Sequence, residues 1–113
     1  MSASYIPDAG DIVWLNFTPQ TGHEQAGRRS IVVLSPKVYN SKTGFLVCVP
    51  ITSQIKGYPF EVLLSGAEVS GAALADQVKN LDWRSRQARY KGKISISEIQ
   101  EIRAKIAALL KLV

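Results

Sequence analysis

Ser30-Ile31-Val32-Val33-Leu34-Ser35-Pro36 and Gly44-Phe45-Leu46-Val47-Cys48-Val49-Pro50 decide the fold. Each is a continuous apolar run, rich in β-branched residues, bounded by Gly, Ser or Pro and short for a helix. Such runs read as strands buried on both faces. Pro36 and Pro50 are expected to end them. Working outward, Asp11-Ile12-Val13-Trp14-Leu15-Asn16-Phe17 follows a Gly and has the same character. Residues 60–64 and 72–76 supply two further short strands, and residues 91–94 a weaker one. The C-terminus changes period. Ser95-Ile96-Ser97-Glu98 has the spacing of a capping box. After it Ile99, Ile102, Ile106, Leu109 and Val113 fall on one helical face. Many short strands and one terminal helix predict a mainly β protein, a small, strongly bent barrel plus a helix.

Residues 1–113 are the size of one domain, and 46% apolar residues suffice for a core without disulfides or a structural metal. Against 14 Lys+Arg stand 9 Asp+Glu, a net charge of +5. That bias favours a polyanionic partner, although a merely basic soluble surface gives the same number. Cys48 is the only cysteine and His23 the only histidine. An intrachain disulfide is thereby excluded, a Cys/His metal cage lacks ligands, and no cofactor is expected. Within its apolar run Cys48 reads as a buried, inert thiol. The first residues lack the basic and apolar regions of a secretory signal, and no stretch is long enough to span a bilayer, so the expected compartment is the cytoplasm.

Two connections stand out. Residues 18–28 form a long one carrying His23, Glu24 and Arg28, with Arg29 just beyond; residues 52–59 carry Thr52 and Lys56 between Gly and Pro. Asp76, Gln77 and Lys79 follow the fifth strand. Such polar groups at strand ends are where a scaffold displays chemistry. Cleaving RNA through its own 2′-OH needs a base, a cation for the pentavalent transition state and an acid for the leaving 5′-oxygen. Each candidate also has an ordinary explanation: Arg29 as a surface cation, Thr52 as a turn hydroxyl, His23 as a solvated loop residue. The segment from Lys79 to Lys93 holds Lys79, Arg84, Arg86, Arg89, Lys91 and Lys93 against the single acid Asp82, with Trp83 and Tyr90 interleaved. Cations for phosphates and aromatic faces for bases suit single-stranded nucleic acid. Trp83 reads equally well as a core residue.

Taken together, several pieces resemble the MazF/PemK toxins. They are Pro7-Asp8-Ala9-Gly10-Asp11-Ile12-Val13-Trp14, Gly22-His23-Glu24-Gln25-Ala26-Gly27-Arg28-Arg29, Val49-Pro50-Ile51-Thr52, Lys56-Gly57-Tyr58-Pro59-Phe60-Glu61-Val62, Ala73-Leu74-Ala75-Asp76-Gln77-Val78-Lys79 and Trp83-Arg84-Ser85-Arg86. They follow in order over nearly the whole chain. The resemblance implies an SH3-like barrel acting as a homodimer. It implies metal-independent cleavage of single-stranded mRNA to 2′,3′-cyclic phosphate and 5′-OH ends, and inhibition by an acidic antitoxin laid over the RNA groove. Carried over by residue, it makes Arg29, Thr52 and Glu24 catalytic. Arg29 would stabilise transition-state charge, Thr52 would hold a phosphate oxygen, and Glu24 would orient Arg29 or accept the 2′-OH proton. Arg28, Asn40, Lys56, Gln77, Lys79 and Arg86 take RNA-groove positions. Leu74 stands where the PemK branch has Arg, so Asp76 is not given that branch's catalytic role. The apolar runs around Val32 and Val47 are expected to leave surface for a dimer. The rival readings are a non-catalytic RNA- or DNA-binding barrel and an SH3-like protein-interaction module. A carboxylate beside a phosphate-binding arginine favours catalysis over both.

Overall fold

A computed structural model describes residues 5–17, 27–66 and 70–112. The elements run β1 (Asp11–Phe17), β2 (Gly27–Val33), α1 (Lys37–Thr43), β3 (Phe45–Thr52), β4 (Glu61–Leu64), β5 (Gly71–Leu74), β6 (Lys79–Asp82), β7 (Arg89–Lys93) and α2 (Ile96–Leu109). The strands form a curled seven-stranded half-barrel in the order β4-β5-β3-β2-β1-β7, with β6 pairing the first half of β3. All the pairings are antiparallel.

The apolar run of β2 is buried on both faces from Ile31 to Val33, whereas that of β3 is so buried only at Cys48 and Val49, with Phe45 exposed and Val47 half-buried. On one face Ile12, Val32 and Val49 pack with Val62 and Ala73 beneath Ile99 and Ile102 of α2. On the other, Val13, Leu15, Ile31, Val33 and Cys48 enclose Leu46 and Trp83. Successive residues of one strand therefore serve different cores. Val32 lies wholly inside the first and gives a dimer no surface.

Helix α2 begins where its capping box predicts. Ser95 Oγ accepts from the Glu98 amide, while Glu98 Oε1 accepts from the Ser95 amide at 2.8 Å. Glu98 Oε2 also accepts from the Ser65 amide and hydroxyl, tying the helix start to the end of β4. Burial pushes this carboxyl up, but the hydrogen bonds from Ser95 and Ser65 outweigh it and hold Glu98 below the ordinary glutamate range. The packed stripe stops earlier than expected: Ile106 is half-buried, Leu109 is exposed, and Val113 lies outside the described residues.

Other expectations also change. Strand β2 starts at Gly27, so Arg28 and Arg29 sit on a strand rather than in a loop. Strand β3 runs through Pro50 to Thr52. On one flank its partner changes from β6, last paired through Cys48, to β5, first paired at Ile51. Pro50 occupies that junction, a place that tolerates a missing N–H. Neither α1 nor β6 is evident from the sequence pattern.

Candidate RNA-cleavage site

Alternation along the strands sorts the candidate residues. Ile31 of β2 faces Pro50 of β3 across their ladder. Arg29 lies two residues before the one and Thr52 two after the other, on the same face and at the same end of the pair. There Arg29 reaches over the Phe17 ring, its guanidinium carbon 5.9 Å from the centroid, and Arg86 covers the same ring at 4.9 Å. Phe17, at the end of β1, thus holds two guanidinium groups beside each other. Arg86 Nη1 donates to the Asn16 carbonyl at 3.4 Å, whereas its buried Nε meets no acceptor among the described residues. Lys79 pairs with Cys48 across β3 and β6 and so joins this face. Burial raises the Cys48 thiol to about 12, against the opposing pull of Lys79 and Arg86. The thiol is buried and inert, and its surroundings are positive.

Thr52 is half-buried and closes β3. Its hydroxyl oxygen accepts from the Gln54 amide at 3.1 Å, which fixes the rotor and leaves the O–H to donate. Thr52, Gln54, Lys56, Tyr58, Glu61 and Gln77 line a hollow of about 360 Å³. Its rim is shaped by Glu61, whose carboxylate accepts from the amides of Lys56, Gly57 and Tyr58 at 3.0, 3.0 and 3.2 Å. The Tyr58 hydroxyl donates to Asp76 Oδ2 at 2.6 Å, a bond that raises the phenol above its ordinary range, and Asp76 Oδ1 is buried without a partner among the described residues. Behind Thr52 stands Gly71, at φ +143°, where an added Cβ would lie 2.3 Å from the Thr52 carbonyl oxygen. Only glycine lets β5 approach so closely.

Arg29, Arg86 and Lys79 therefore gather on one face, with Thr52, Lys56 and Gln77 at its end. Arg28 alternates to the opposite face. Glu24 and His23 lie outside the described residues. Asn40 requires a correction: it is fully buried and cannot face an RNA groove. Its amide donates to the carbonyls of Pro7 and Ser35 at 2.8 and 3.0 Å, and its Oδ1 accepts from the Ser35 hydroxyl. Trp83 is likewise core, with Nε1 donating to the Asn40 carbonyl at 2.9 Å. Phe17, Glu61 and Gly71 were not singled out from the sequence. Their roles come from long-range pairing, and only the Gly-bounded start of β5 hints at one of them.

The model of the PemK-like, MazF-like toxins of type II toxin–antitoxin systems matches residues 8–110. The endoribonuclease toxin MazF of Escherichia coli (strain K12) is 56% identical over 110 residues, which span 97% of this chain and 99% of that one. The chain belongs to this family. A MazE–MazF crystal structure from Deinococcus radiodurans superposes with a TM-score of 0.93 at 51% identity, covering 97% of this chain and 100% of that one. A structure of MazF from the same organism gives 0.85 at 52% identity, over 96% and 99% of the two chains. Among the described residues no three His, Cys, Asp or Glu side chains come together as metal ligands, and no helix is long and apolar enough to cross a membrane.

Proposed function

We propose that this chain, one domain over residues 1–113, is a toxin of a type II toxin–antitoxin system that cuts single-stranded mRNA in the cytoplasm without a metal. The observation that carries the reading is the placing of Arg29 and Thr52 on one face at the same end of β2 and β3, inside a family of endoribonuclease toxins. A base removes the 2′-OH proton, the 2′-oxygen attacks phosphorus, and the bond to the 5′-oxygen breaks as that oxygen gains a proton. The products are a 2′,3′-cyclic phosphate and a 5′-OH. A guanidinium stays protonated at physiological pH, so Arg29 neutralises the charge that builds on the phosphorane. The Thr52 hydroxyl donates to a phosphate oxygen. Glu24 orients Arg29 or takes the 2′-OH proton. Arg28, Lys56, Gln77, Lys79 and Arg86 hold the strand on either side.

A homodimer supplies a groove longer than one small barrel offers. Exposed Leu63, Val78 and Leu110 provide apolar surface for it, in place of Val32. An acidic antitoxin segment suits the same positive groove, and the Deinococcus relative was solved as a MazE–MazF complex.

Purified protein incubated with mixed-sequence RNA in EDTA should yield cyclic-phosphate and 5′-OH ends at a short motif, read by sequencing. Activity lost in EDTA and restored by Mg²⁺ would sink the reading. Sedimentation at micromolar concentration should give a dimer; a 12.4 kDa monomer that cleaves at full rate would remove the dimer from it.

A further inference from the structure

The opposite face of the same strand ends carries a second basic and aromatic cluster. Trp14 of β1 has Ser30 of β2 on one side and Arg89 of β7 on the other, each on a ladder rung and therefore on its face. The β1–β7 register shifts between Ile12 and Val13: Gly92 faces Ile12 but Tyr90 faces Val13, so Lys91 is an extra residue. Bulges of this kind re-aim side chains. Here the Lys91 ammonium sits 3.9 Å from the centroid of the Trp14 ring.

Around this pair Arg28, Ser30, Ile51 and Ser53 line an open hollow of about 380 Å³, and Arg29 stands at its border. A further hollow of about 250 Å³ lies between Trp14, Arg28 and Arg89. Trp14 and Arg28 line both hollows, and among the described residues no carboxylate lines either. Among the described residues Arg28, Arg89 and Lys91 meet no acid within ion-pair distance; the one ion pair there is Lys93 with Asp11. Three cations around a half-buried indole, with hydroxyls at the rim, are far more charge than this sheet face needs for packing. Like cations held together repel one another, which an anionic ligand relieves. The larger hollow falls at the lower end of the range of small-ligand sites, about 300–1,000 Å³.

We propose that the Trp14 hollow is a flanking-nucleotide subsite of the same RNA path. Arg28, Arg89 and Lys91 take the phosphate of a nucleotide beyond the cleaved bond, and Trp14 takes its base. The proposal rests on the nuclease reading and extends it. Arg29 borders the hollow, so a strand whose scissile phosphate lies on Arg29 passes over the end of β2 into it. The alternation of Arg28 and Arg29 then does two jobs: Arg29 faces the reacting phosphate and Arg28 the neighbouring one.

The test uses a core RNA, cut down to the cleavage motif read from the sequenced ends, and the same RNA lengthened by a few nucleotides on each side. For the unaltered protein kcat/KM should favour the longer RNA by about tenfold or more, the scale of one base stacked on an aromatic ring. In the Arg89→Gln/Lys91→Gln double variant, checked for folding by circular dichroism, that ratio should fall to near one. Tryptophan fluorescence with 2′-O-methyl RNA gives a second readout. Of the two tryptophans, Trp83 is buried, so extra quenching by the longer RNA reports Trp14. A length advantage that survives in the double variant, or quenching that ignores length, overturns the subsite and leaves the nuclease standing. Failure of the unaltered protein to cut either RNA overturns both. Unchanged RNA parameters with weakened binding of a poly-glutamate peptide would assign the hollow to a protein ligand and overturn the proposal.

Discussion

Asn40 and Arg29 are both polar and both match site positions in the sequence, Asn40 in the RNA groove and Arg29 in the catalytic set, yet the fold treats them in opposite ways. Around Asn40 every polar atom has a partner: two carbonyls, a hydroxyl and the Trp83 indole are drawn in from three other places in the chain. Around Arg29 the guanidinium has the Phe17 ring to pack on and, among the described residues, no hydrogen-bond acceptor. A buried polar group must be satisfied by the protein or it costs stability, whereas an exposed one left unsatisfied is available to a ligand. The first arrangement stabilises the fold, and the second is ready to bind a phosphate.

The largest test of that contrast is Arg29→Ala. It should lower RNA cleavage about 10²–10³-fold, the usual loss for one transition-state donor, with RNA affinity falling much less and thermal stability nearly unchanged. If Arg28→Ala proves the damaging change and Arg29→Ala is mild, the assignment of faces is wrong. Next comes Asn40→Ala, which strands the carbonyls of Pro7 and Ser35 and the Ser35 hydroxyl in the core. Urea denaturation should show a loss of about 3 kcal/mol, while each folded molecule still cleaves RNA. Lost cleavage at unchanged stability would return Asn40 to the RNA surface.

What the sequence conveyed follows the same division. The strands of the core are legible because runs such as Ile31-Val32-Val33 carry their burial in their own composition. Helix α2 is legible because its cap and its first partner lie three residues apart. Helix α1 has no side-chain cap and only seven residues, and it is held by the tertiary bonds of Asn40. Strand β6 contains a single apolar residue and forms because the first half of β3 needs a partner. Neither dependence is written locally. At the site the residue types were legible and their faces were not. Phe17 under Arg29, and Gly71 behind Thr52, are known only once the register is fixed.

Glu98 sharpens the contrast from the structural side. Its folded pKa is depressed, so its contribution is fully present above the ordinary glutamate value and is lost as the pH falls through the lowered one. Glu98→Gln should cost about 1 kcal/mol at neutral pH, the scale of a lost cap. The gap from the unaltered protein should close in acid, as followed by denaturation at a series of pH values. A gap that stays constant from neutral pH into acid would show that the carboxylate charge is not what the Ser95 and Ser65 donors recognise.

The smallest expected effect belongs to Lys79. It is exposed, makes no ion pair among the described residues, and is held on the Arg29 face only by its rung opposite Cys48. Its contribution is one phosphate contact. For single-stranded RNA each such contact releases condensed counterion, and the slope of log K against log salt changes by about 0.7 per contact. With three to five contacts the unaltered protein should give a slope of roughly −2 to −3.5. Lys79→Gln should flatten it by about 0.7 while weakening binding almost equally for all sequences. Stability should not move, because no partner is stranded by the change. Binding titrations of an uncleavable RNA across a salt series decide the matter. An unaltered slope would remove Lys79 from the RNA path and confine phosphate binding on that face to Arg29 and Arg86.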